Sequence, residues 1–485
     1  MPPSSPNNLM QSARRVLREV FGHDDFRGFQ ADVIARLLDG RHAMVLMPTG
    51  GGKSLCYQIP ALLADEDSPD LVLVLSPLIA LMKDQVDALR RKGVDATFIN
   101  SSLDAATRRE RYEQIAEGKY RLVYVTPERF RKTSFRDVVQ RRRIRLLAVD
   151  EAHCVSQWGH DFRPDYTRLA EIRQLLGNPT TAALTATATP ACQTDIVRQL
   201  GLEPESVRIF NSGIERENLE LDAVDVWDDA DKVAQIETVL DDPRYGSTGS
   251  GIVYFSLIKS LERISELLRV RGVDHLCYHG DLDRRQRRRI QERFMSDDCP
   301  LVLATNAFGM GIDKPDIRFV LHAEVPGSLE AYYQEIGRAG RDGEPAVCRL
   351  LYDQADLMTQ MQFIGWRNPD ADFYGRLFHY LRDRAEEVQA YGVDWLNEQL
   401  QAVSRHDHRL ATALALLDRH GLVEGPRPPE SLRLCGDIDG VPAPFDDNQV
   451  LEEKRRADQQ RLYALVEYRQ SDDRKAFLEK YFGVP

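Results

Sequence analysis

Short apolar runs alternate with stretches of helical periodicity over residues 40–355 of the chain. Ala43–Leu46, Leu71–Leu75, Ala96–Ile99, Leu122–Val125, Arg145–Val149, Thr181–Leu184 and Val207–Phe210 read as buried strands. Near-continuous apolar strands between helical stretches predict a parallel sheet covered on both faces. A second series begins near 213, with Gly251–Phe255, His275–Tyr278, Leu301–Ala304, Phe319–His322 and Val347–Tyr352 as its strands. Ahead of both, residues 11–21 place Ala13, Leu17 and Phe21 four apart, on one face of a helix. Past 355 the pattern turns helical, in 356–366, 371–390, 394–403, 407–420 and 448–482. Leu410–Leu417, then His420-Gly421 and Leu432-Arg433-Leu434, suit either a winged helix around 394–440 or a plain helical cap. The expected organisation is a tail over 1–9, α/β domains over 10–212 and 213–355, and a helical region over 356–485.

Chemistry enters at the end of the first strand, where Met47 to Gln58 reads Met-Pro-Thr-Gly-Gly-Gly-Lys-Ser-Leu-Cys-Tyr-Gln. Thr49, Gly50, Gly51 and Gly52 let the backbone curl with its N–H groups inward, and a helix from Ser54 to Pro60 would add its positive end. Lys53 would reach the β- and γ-phosphates, and Ser54 would ligate Mg²⁺. Met47 stands where the strict phosphate-loop pattern has its first glycine. About a hundred residues on, the strand Leu146–Val149 delivers Asp150 and Glu151 to its C-terminal end, the edge where open α/β sheets hold ligands. Asp150 can hold the metal and Glu151 can polarise the attacking water. Together the loop and the carboxylates indicate an NTPase.

Other candidates surround this pair. Gln30 can donate and accept at an adenine edge, and Arg27 can stack on the ring. Ser76-Pro77-Leu78, Thr126 to Arg129 and Thr185 to Pro190 follow strands, where short hydroxyls suit phosphodiester contacts or simply start loops, and Thr305 after a later strand is a further candidate DNA contact. Cys154 to Tyr166 interleaves Trp158, Phe162 and Tyr166 with His160 and Arg163, either a platform for single-stranded bases or a flap over the core. The turn Thr305 to Asp313 contains Gly311, and Gln334 to Gly343 sets Arg338 and Arg341 three apart. These arginines could reach a γ-phosphate across a cleft, or brace a helix end.

Composition narrows the classes. At 485 residues, 42% apolar and 29% charged, the chain fits a multidomain globular protein. Its longest apolar run, Leu71 to Met82, is interrupted at Ser76-Pro77 and too short for a bilayer, so no membrane partner is expected. The first residues lack a signal-peptide layout, and seven scattered cysteines without a C-x-x-C pair point to a reducing compartment. Net charge is −12, yet arginine clusters at 108–111, 129–131, 141–145 and 284–293 leave local tracks for phosphate, or solvated helix faces.

The motifs taken together resemble the RecQ family of superfamily-2 DNA helicases over about residues 10–355. They are Phe21 to Gln30, the Met47–Gln58 loop, Ser76 to Gln85, Asp150 to Tyr166 and Gln334 to Gly343. The resemblance implies two tandem RecA-like domains, ATP with Mg²⁺, and 3′→5′ translocation on single-stranded DNA with unwinding of duplex DNA in recombination and repair. It assigns Arg27 and Gln30 to adenine, the loop through Lys53 and Ser54 to phosphates and metal, and Asp150 and Glu151 to metal and water. Gln157, Trp158, Phe162 and Arg163 would couple DNA contact to hydrolysis, while Gly311, Asp313, Arg338 and Arg341 complete the ATP site. A cytoplasmic protein at a bacterial nucleoid is expected, with protein partners unknown. The alternatives are an RNA-directed relative and a platform without unwinding.

Two stretches depart from the family pattern: Ser256-Leu257-Ile258 lacks a basic residue, and Gly280-Asp281 stands in place of Ala-Gly. A third departure concerns metal. Such helicases follow the motor with a four-cysteine zinc module, but here Asp473 falls at the first cysteine's place and Cys435 is alone beyond 348, so no structural zinc is expected. Apolar packing of Leu462, Leu465, Val466, Phe477 and Tyr481 is expected to hold the last helices.

Overall fold

The computed structural model describes residues 6–63, 70–156, 166, 168–213, 216–246, 249–309, 312, 314–400, 407–424, 432–436 and 440–484. Gln157, Trp158, Phe162, Arg163, Gly311 and Asp313 lie outside these residues.

The first sheet contains β1 (His42–Leu46), β2 (Asp70–Leu75), β3 (Ala96–Ile99), β4 (Leu122–Val125), β5 (Arg143–Val149), β6 (Thr180–Thr185) and β7 (Val207–Asn211). All pair in parallel, in the order β3-β4-β2-β5-β6-β1-β7. Both faces are covered, which is why β2 and β5 read as unbroken apolar runs: Leu73, Val74, Leu147 and Val149 are all fully buried. The order sets β1, β6 and β5 side by side. Their C-terminal loops, including the glycine loop and Asp150-Glu151, therefore open onto one edge.

The second sheet is also parallel, in the order β10-β11-β9-β12-β13-β8. Its strands are β8 (Leu219–Asp225), β9 (Ser250–Phe255), β10 (Leu276–Tyr278), β11 (Leu301–Thr305), β12 (Ile317–His322) and β13 (Ala346–Tyr352). Two parallel-sheet domains with a helical C-terminal region are thus present, as the apolar pattern predicted, and the domains are RecA-like, as the family resemblance implied. One strand, β8, was not foreseen. It is an edge strand whose residues after Leu219 stay partly exposed, so its sequence carries no apolar run.

Several boundaries differ from expectation. The helix after the glycine loop, Leu55–Leu62, runs through Pro60 instead of stopping there. Its neighbours Tyr57 and Ile59 are fully buried, and packing offsets the backbone bond that proline cannot donate. The N-terminal helix Pro6–Val16 continues as a π-helical turn, Leu17–Phe21, closed by Gly22 in the left-handed region at φ 75°. The expected helix 371–390 ends at Asp383, and the next, Ala385–Leu400, bends at Gly392 with φ 80°. With helix Arg409–Arg419 these enclose Phe373, Leu377, Leu396, Leu414 and Leu417, beside an antiparallel hairpin of β14 (Val423–Glu424) and β15 (Arg433–Leu434).

The expected helix over 448–482 is two, Asn448–Gln470 and Arg474–Phe482. Asp473 starts the second by accepting a hydrogen bond from the Ala476 N–H at 3.0 Å, so the residue at the missing cysteine's place acts as a helix cap. Leu462 and Leu465 are buried against the second sheet's core, with Val466, Phe477 and Tyr481 packed around them. Among the described residues no helix is long and apolar enough to cross a membrane.

Candidate active site

The glycine loop leaves β1 and turns at once. Gly50 and Gly52 have φ of 83° and 78°, the left-handed region that only glycine enters without strain. A Cβ on Gly52 would stand 2.5 Å from Gln30 Nε2, and one on Gly51 would stand 3.0 Å from the Pro48 carbonyl. The loop is therefore curled so tightly that its middle tolerates no side chain. Gln30, buried in helix Gln30–Leu38, donates from Nε2 to the Gly51 and Gly52 carbonyls at 3.1 and 3.2 Å. Its Oε1 accepts from the Arg27 N–H at 2.9 Å. Both ends of this amide thus hold the phosphate loop in shape, while the Arg27 side chain is exposed nearby. Ser54 begins the following helix and accepts at its carbonyl from the Tyr57 and Gln58 N–H groups.

Lys53 Nζ donates to the Met47 carbonyl at 2.9 Å and the Pro48 carbonyl at 3.3 Å, so the ammonium is folded back beneath the loop. Burial lowers its pKa, Glu151 and Asp150 pull it up, and Arg341 pushes it down. That electrostatic contact brings the lysine, both carboxylates and a second-domain arginine into one site. Asp150 is buried, and its pKa is pushed up to about 7 by burial first and by Glu151 second, with Lys53 acting in the opposite direction. Its Oδ1 accepts from the Glu151 N–H at 3.1 Å. Glu151 itself adopts φ 48°, ψ 50°, a left-handed conformation that costs a non-glycine residue about 1 kcal/mol or more. Its Oε2 is buried without a hydrogen bond among the described residues, and His153 Nδ1 lies 3.4 Å from that atom. His153 Nδ1 also meets Thr185 Oγ1 at 3.0 Å, and the Thr185 carbonyl accepts from the Met47 N–H at 3.2 Å. The strand end β6 thus ties the carboxylate loop to the root of the phosphate loop. His153 was not singled out from sequence as a site residue, whereas Thr185 was, as a strand-end hydroxyl for phosphodiester contact and not as a partner of the carboxylate loop.

Asp150 and Ser54 suit Mg²⁺ as oxygen donors, with the Asp150 carboxylate buried and the Glu151 carboxylate next to it.

The paired arginines follow helix Leu329–Ile336, which Gly337 ends. They do not act alike. Arg341 lies against the phosphate loop, its Cγ 3.7 Å from where a Gly50 Cβ would be, and Thr49 Oγ1 is 3.4 Å from the corresponding position on Gly337. Arg338 is buried within the second domain, where Nη1 donates to the Gly309 carbonyl while Nε has no hydrogen bond among the described residues. Tyr254 OH donates to the Phe308 carbonyl at 2.9 Å beside it, and its hydroxyl also hydrogen-bonds Arg338. Behind them His322 Nε2 meets Glu335 Oε2 at 2.8 Å. These residues gave no sequence signal, because the contact between Arg338 and the Gly309 turn exists only in the folded domain.

Ser76, Thr126 and Thr305 are buried at the ends of β2, β4 and β11. Ser76 Oγ accepts from the Leu78 N–H at 3.4 Å, and the Thr126 and Thr305 carbonyls start turns by accepting from Arg129 and Phe308. All three are at the C-terminal edges of the sheets, with their backbones committed locally.

A phosphate loop and acidic pair on one RecA-like domain, faced by an arginine-bearing turn of another, define the class of superfamily-2 helicase folds. The DEAD/DEAH box helicase family matches residues 27–195, and the helicase conserved C-terminal domain matches 231–343. ATP-dependent DNA helicase RecQ of Bacillus subtilis is 44% identical over 354 residues, covering 73% of this chain and 58% of its own length. RecQ of Pasteurella multocida is 43% identical, over 72% and 53%. The probable ATP-dependent DNA helicase RecS of Bacillus subtilis is 38% identical, with 75% of this chain and 71% of that protein covered. The chain belongs to the RecQ family of helicases. It spans little more than half the length of the two RecQ proteins. Among solved structures, the DUF1998 helicase MrfA bound to DNA and AMPPNP superposes with a TM-score of 0.59 at 18% identity, over 90% of this chain and 62% of that one. S. cerevisiae Dbp5 bound to RNA and ADP BeF3 gives 0.55 at 17% identity, over 73% and 92%. These two share the fold.

Proposed function

We propose that the chain is an ATP-driven DNA helicase that moves 3′→5′ along single-stranded DNA and separates duplex ahead of it, in recombination and repair. The observation that carries this is the meeting of Lys53, Asp150 and Glu151 with Arg341 of the other domain across the phosphate loop. In a hydrolytic cycle Lys53 leaves the Met47 and Pro48 carbonyls to bind the β- and γ-phosphates. Glu151, flanked by the His153 ring that Thr185 anchors, orients and deprotonates the attacking water. Arg341 closes on the γ-phosphate, and Arg338 joins it by exchanging the Gly309 carbonyl for phosphate oxygen. Ser54 and Asp150 would hold Mg²⁺, whose charge neutralises the phosphates. Arg27 stacks on adenine, and Gln30 turns part of its amide to the base while still bracing the loop. Gly311 and Asp313 complete the second-domain wall.

Ser76, Thr126 and Thr305 contact the DNA backbone at the sheet edges, and Gln157, Trp158, Phe162 and Arg163 report bound DNA to Glu151. The division into 10–212, 213–355 and 356–485 is part of the proposal, with the helices around 394–420 and the β14–β15 hairpin serving as a winged-helix DNA contact. Asp473 and the apolar docking of the last helices replace a zinc module. A cytoplasmic location at a bacterial nucleoid belongs to the same proposal.

Strand separation on partial duplexes tests the polarity. With ATP, a duplex carrying a 3′ single-stranded tail is separated and one with only a 5′ tail is not. The opposite preference, or separation of RNA duplexes at the same rate, contradicts the proposal.

A further inference from the structure

Helix Arg284–Met295 of the second domain has the sequence Arg-Arg-Gln-Arg-Arg-Arg-Ile-Gln-Glu-Arg-Phe-Met, six arginines and one acid in a chain of net charge −12. Part of this charge is used internally. Arg288 pairs with Glu292 at 2.8 Å, Arg293 with Asp298 at 2.5 Å, and Arg287 hydrogen-bonds the buried Tyr278 hydroxyl. Arg284, Arg285 and Arg289 are exposed and have no ion pair among the described residues.

As a solvated helix face this arrangement works against itself. Arg284 and Arg288, and again Arg285 and Arg289, are like charges one helical turn apart, which destabilises a helix. Arg284 and Arg285 also occupy the first turn, where the positive end of the helix dipole favours acids, and no acid is there. A capping box, with Asp283 accepting from the Gln286 N–H and Gln286 answering the Asp283 N–H, holds the helix start in place. Neutral or acidic residues at these positions would stabilise the fold better. A polyanion is the partner that would turn the repulsion into attraction.

The location says which polyanion. β10 pairs with β11 so that Tyr278 is opposite Ala304, and the chain therefore leaves β10 beside Thr305. His279, the first residue past β10, has Nδ1 buried without a hydrogen bond among the described residues. The arginine helix begins five residues later, at the same C-terminal edge of the sheet. We propose that Arg284, Arg285 and Arg289 form a phosphate-contact surface of the second domain that holds a DNA backbone passing Thr305. This rests on the helicase function proposed above. It also accounts for the two departures from the family pattern in this domain, since the cations missing at Ser256 and the altered Gly280-Asp281 turn are compensated by the helix that follows.

The test is binding of labelled single-stranded DNA and of blunt duplex by the full chain, wild type against Arg284→Gln/Arg285→Gln/Arg289→Gln, from about 50 to 200 mM salt. Each lost phosphate contact lowers the slope of log K against log salt by about 0.7 for single strands and about 0.9 for duplex. The triple variant should therefore lose about 2 from the single-strand slope or about 3 from the duplex slope, and at least about tenfold in affinity at the lowest salt. Whichever slope falls identifies the DNA form held. DNA-free ATP hydrolysis and the melting temperature stay at or above wild type, and the corresponding triple Arg→Lys variant keeps the slope. Unchanged slopes in a variant whose parent binds DNA overturn the surface alone, and an acidic protein partner would then be the occupant. A wild type that binds neither DNA overturns the helicase function and this surface with it.

Discussion

At the scale of single residues, the site is built from groups that would destabilise the protein anywhere else. Gly52 sits at φ 78° with Gln30 Nε2 in the space a Cβ would occupy. Gly52→Ala should raise the KM for ATP on the order of tenfold, through about 1–2 kcal/mol of left-handed strain and the displacement of Gln30. Steady-state kinetics check this, with a near-normal melting temperature separating a loop defect from unfolding. Gln30 shows where sequence and structure part. Its proximity to the glycine loop was legible only as an adenine contact, because its bonds to Gly51 and Gly52 join residues more than twenty positions apart. The placing of Lys53, Asp150 and Glu151 at the C-terminal ends of β1 and β5 was legible, since strand and turn are contiguous there. Away from the site, Asp356 is partly buried with its pKa pushed up to about 7, by desolvation more than Lys232 at 3.7 Å pulls it down, and it accepts from the Val325 N–H at 3.0 Å. Because the folded pKa is above the unfolded one, its contribution favours folding at low pH and is lost as pH rises from about 4 to about 7. Asp356→Asn, which keeps the acceptor and removes the charge, should gain stability over the wild type across that window, on the order of 1–3 kcal/mol by neutral pH. Denaturant titrations at several pH values check it, and a difference independent of pH would contradict it.

At the scale of elements, the long helix Asn448–Gln470 is the part that sequence described least well. Its apolar residues were readable, but its partner was not. Tyr468 OH meets Tyr332 OH at 3.0 Å, and Arg469 Nε donates to Asp225 Oδ1 at 2.8 Å. The helix thus packs across the back of the second sheet and braces Leu329–Ile336, the helix that ends in the two arginines. Tyr481 OH donates to Glu330 Oε1 on the same helix at 2.9 Å. Leu465 is fully buried in that interface. Leu465→Ala should cost about 2–5 kcal/mol and depress turnover with it, because the arginine-bearing turn loses its support. Thermal melts paired with ATPase rates check this; a stability loss with turnover per folded molecule unchanged would uncouple helix from site. The break at Ser471–Asp473 was legible in principle, as acids ahead of a new apolar period. β8 was not, since an edge strand with one open side reads as polar.

At the scale of the whole molecule, the C-terminal region touches both parallel-sheet domains. Gly483 packs on Pro190 of the first domain, where a Cβ would come within 2.6 Å, and Arg131 of the first domain reaches Asp418 beyond the second at 2.6 Å. That two parallel sheets follow one another was predictable from apolar periodicity, because their central strands are buried on both faces, whereas the order of the strands was not. The way the domains face each other was not, because Arg341 and Gly50 are brought together by contacts that leave no periodic trace. Whether that facing geometry is a working ATP site is most directly measured by phosphate release from ATP, with single-stranded DNA, with RNA and with neither. The account predicts a rate that DNA raises at least about tenfold and RNA does not, and that Lys53→Ala lowers on the order of 10²-fold or more while leaving DNA affinity intact. A rate indifferent to DNA, raised equally by RNA, or unchanged in Lys53→Ala would contradict it.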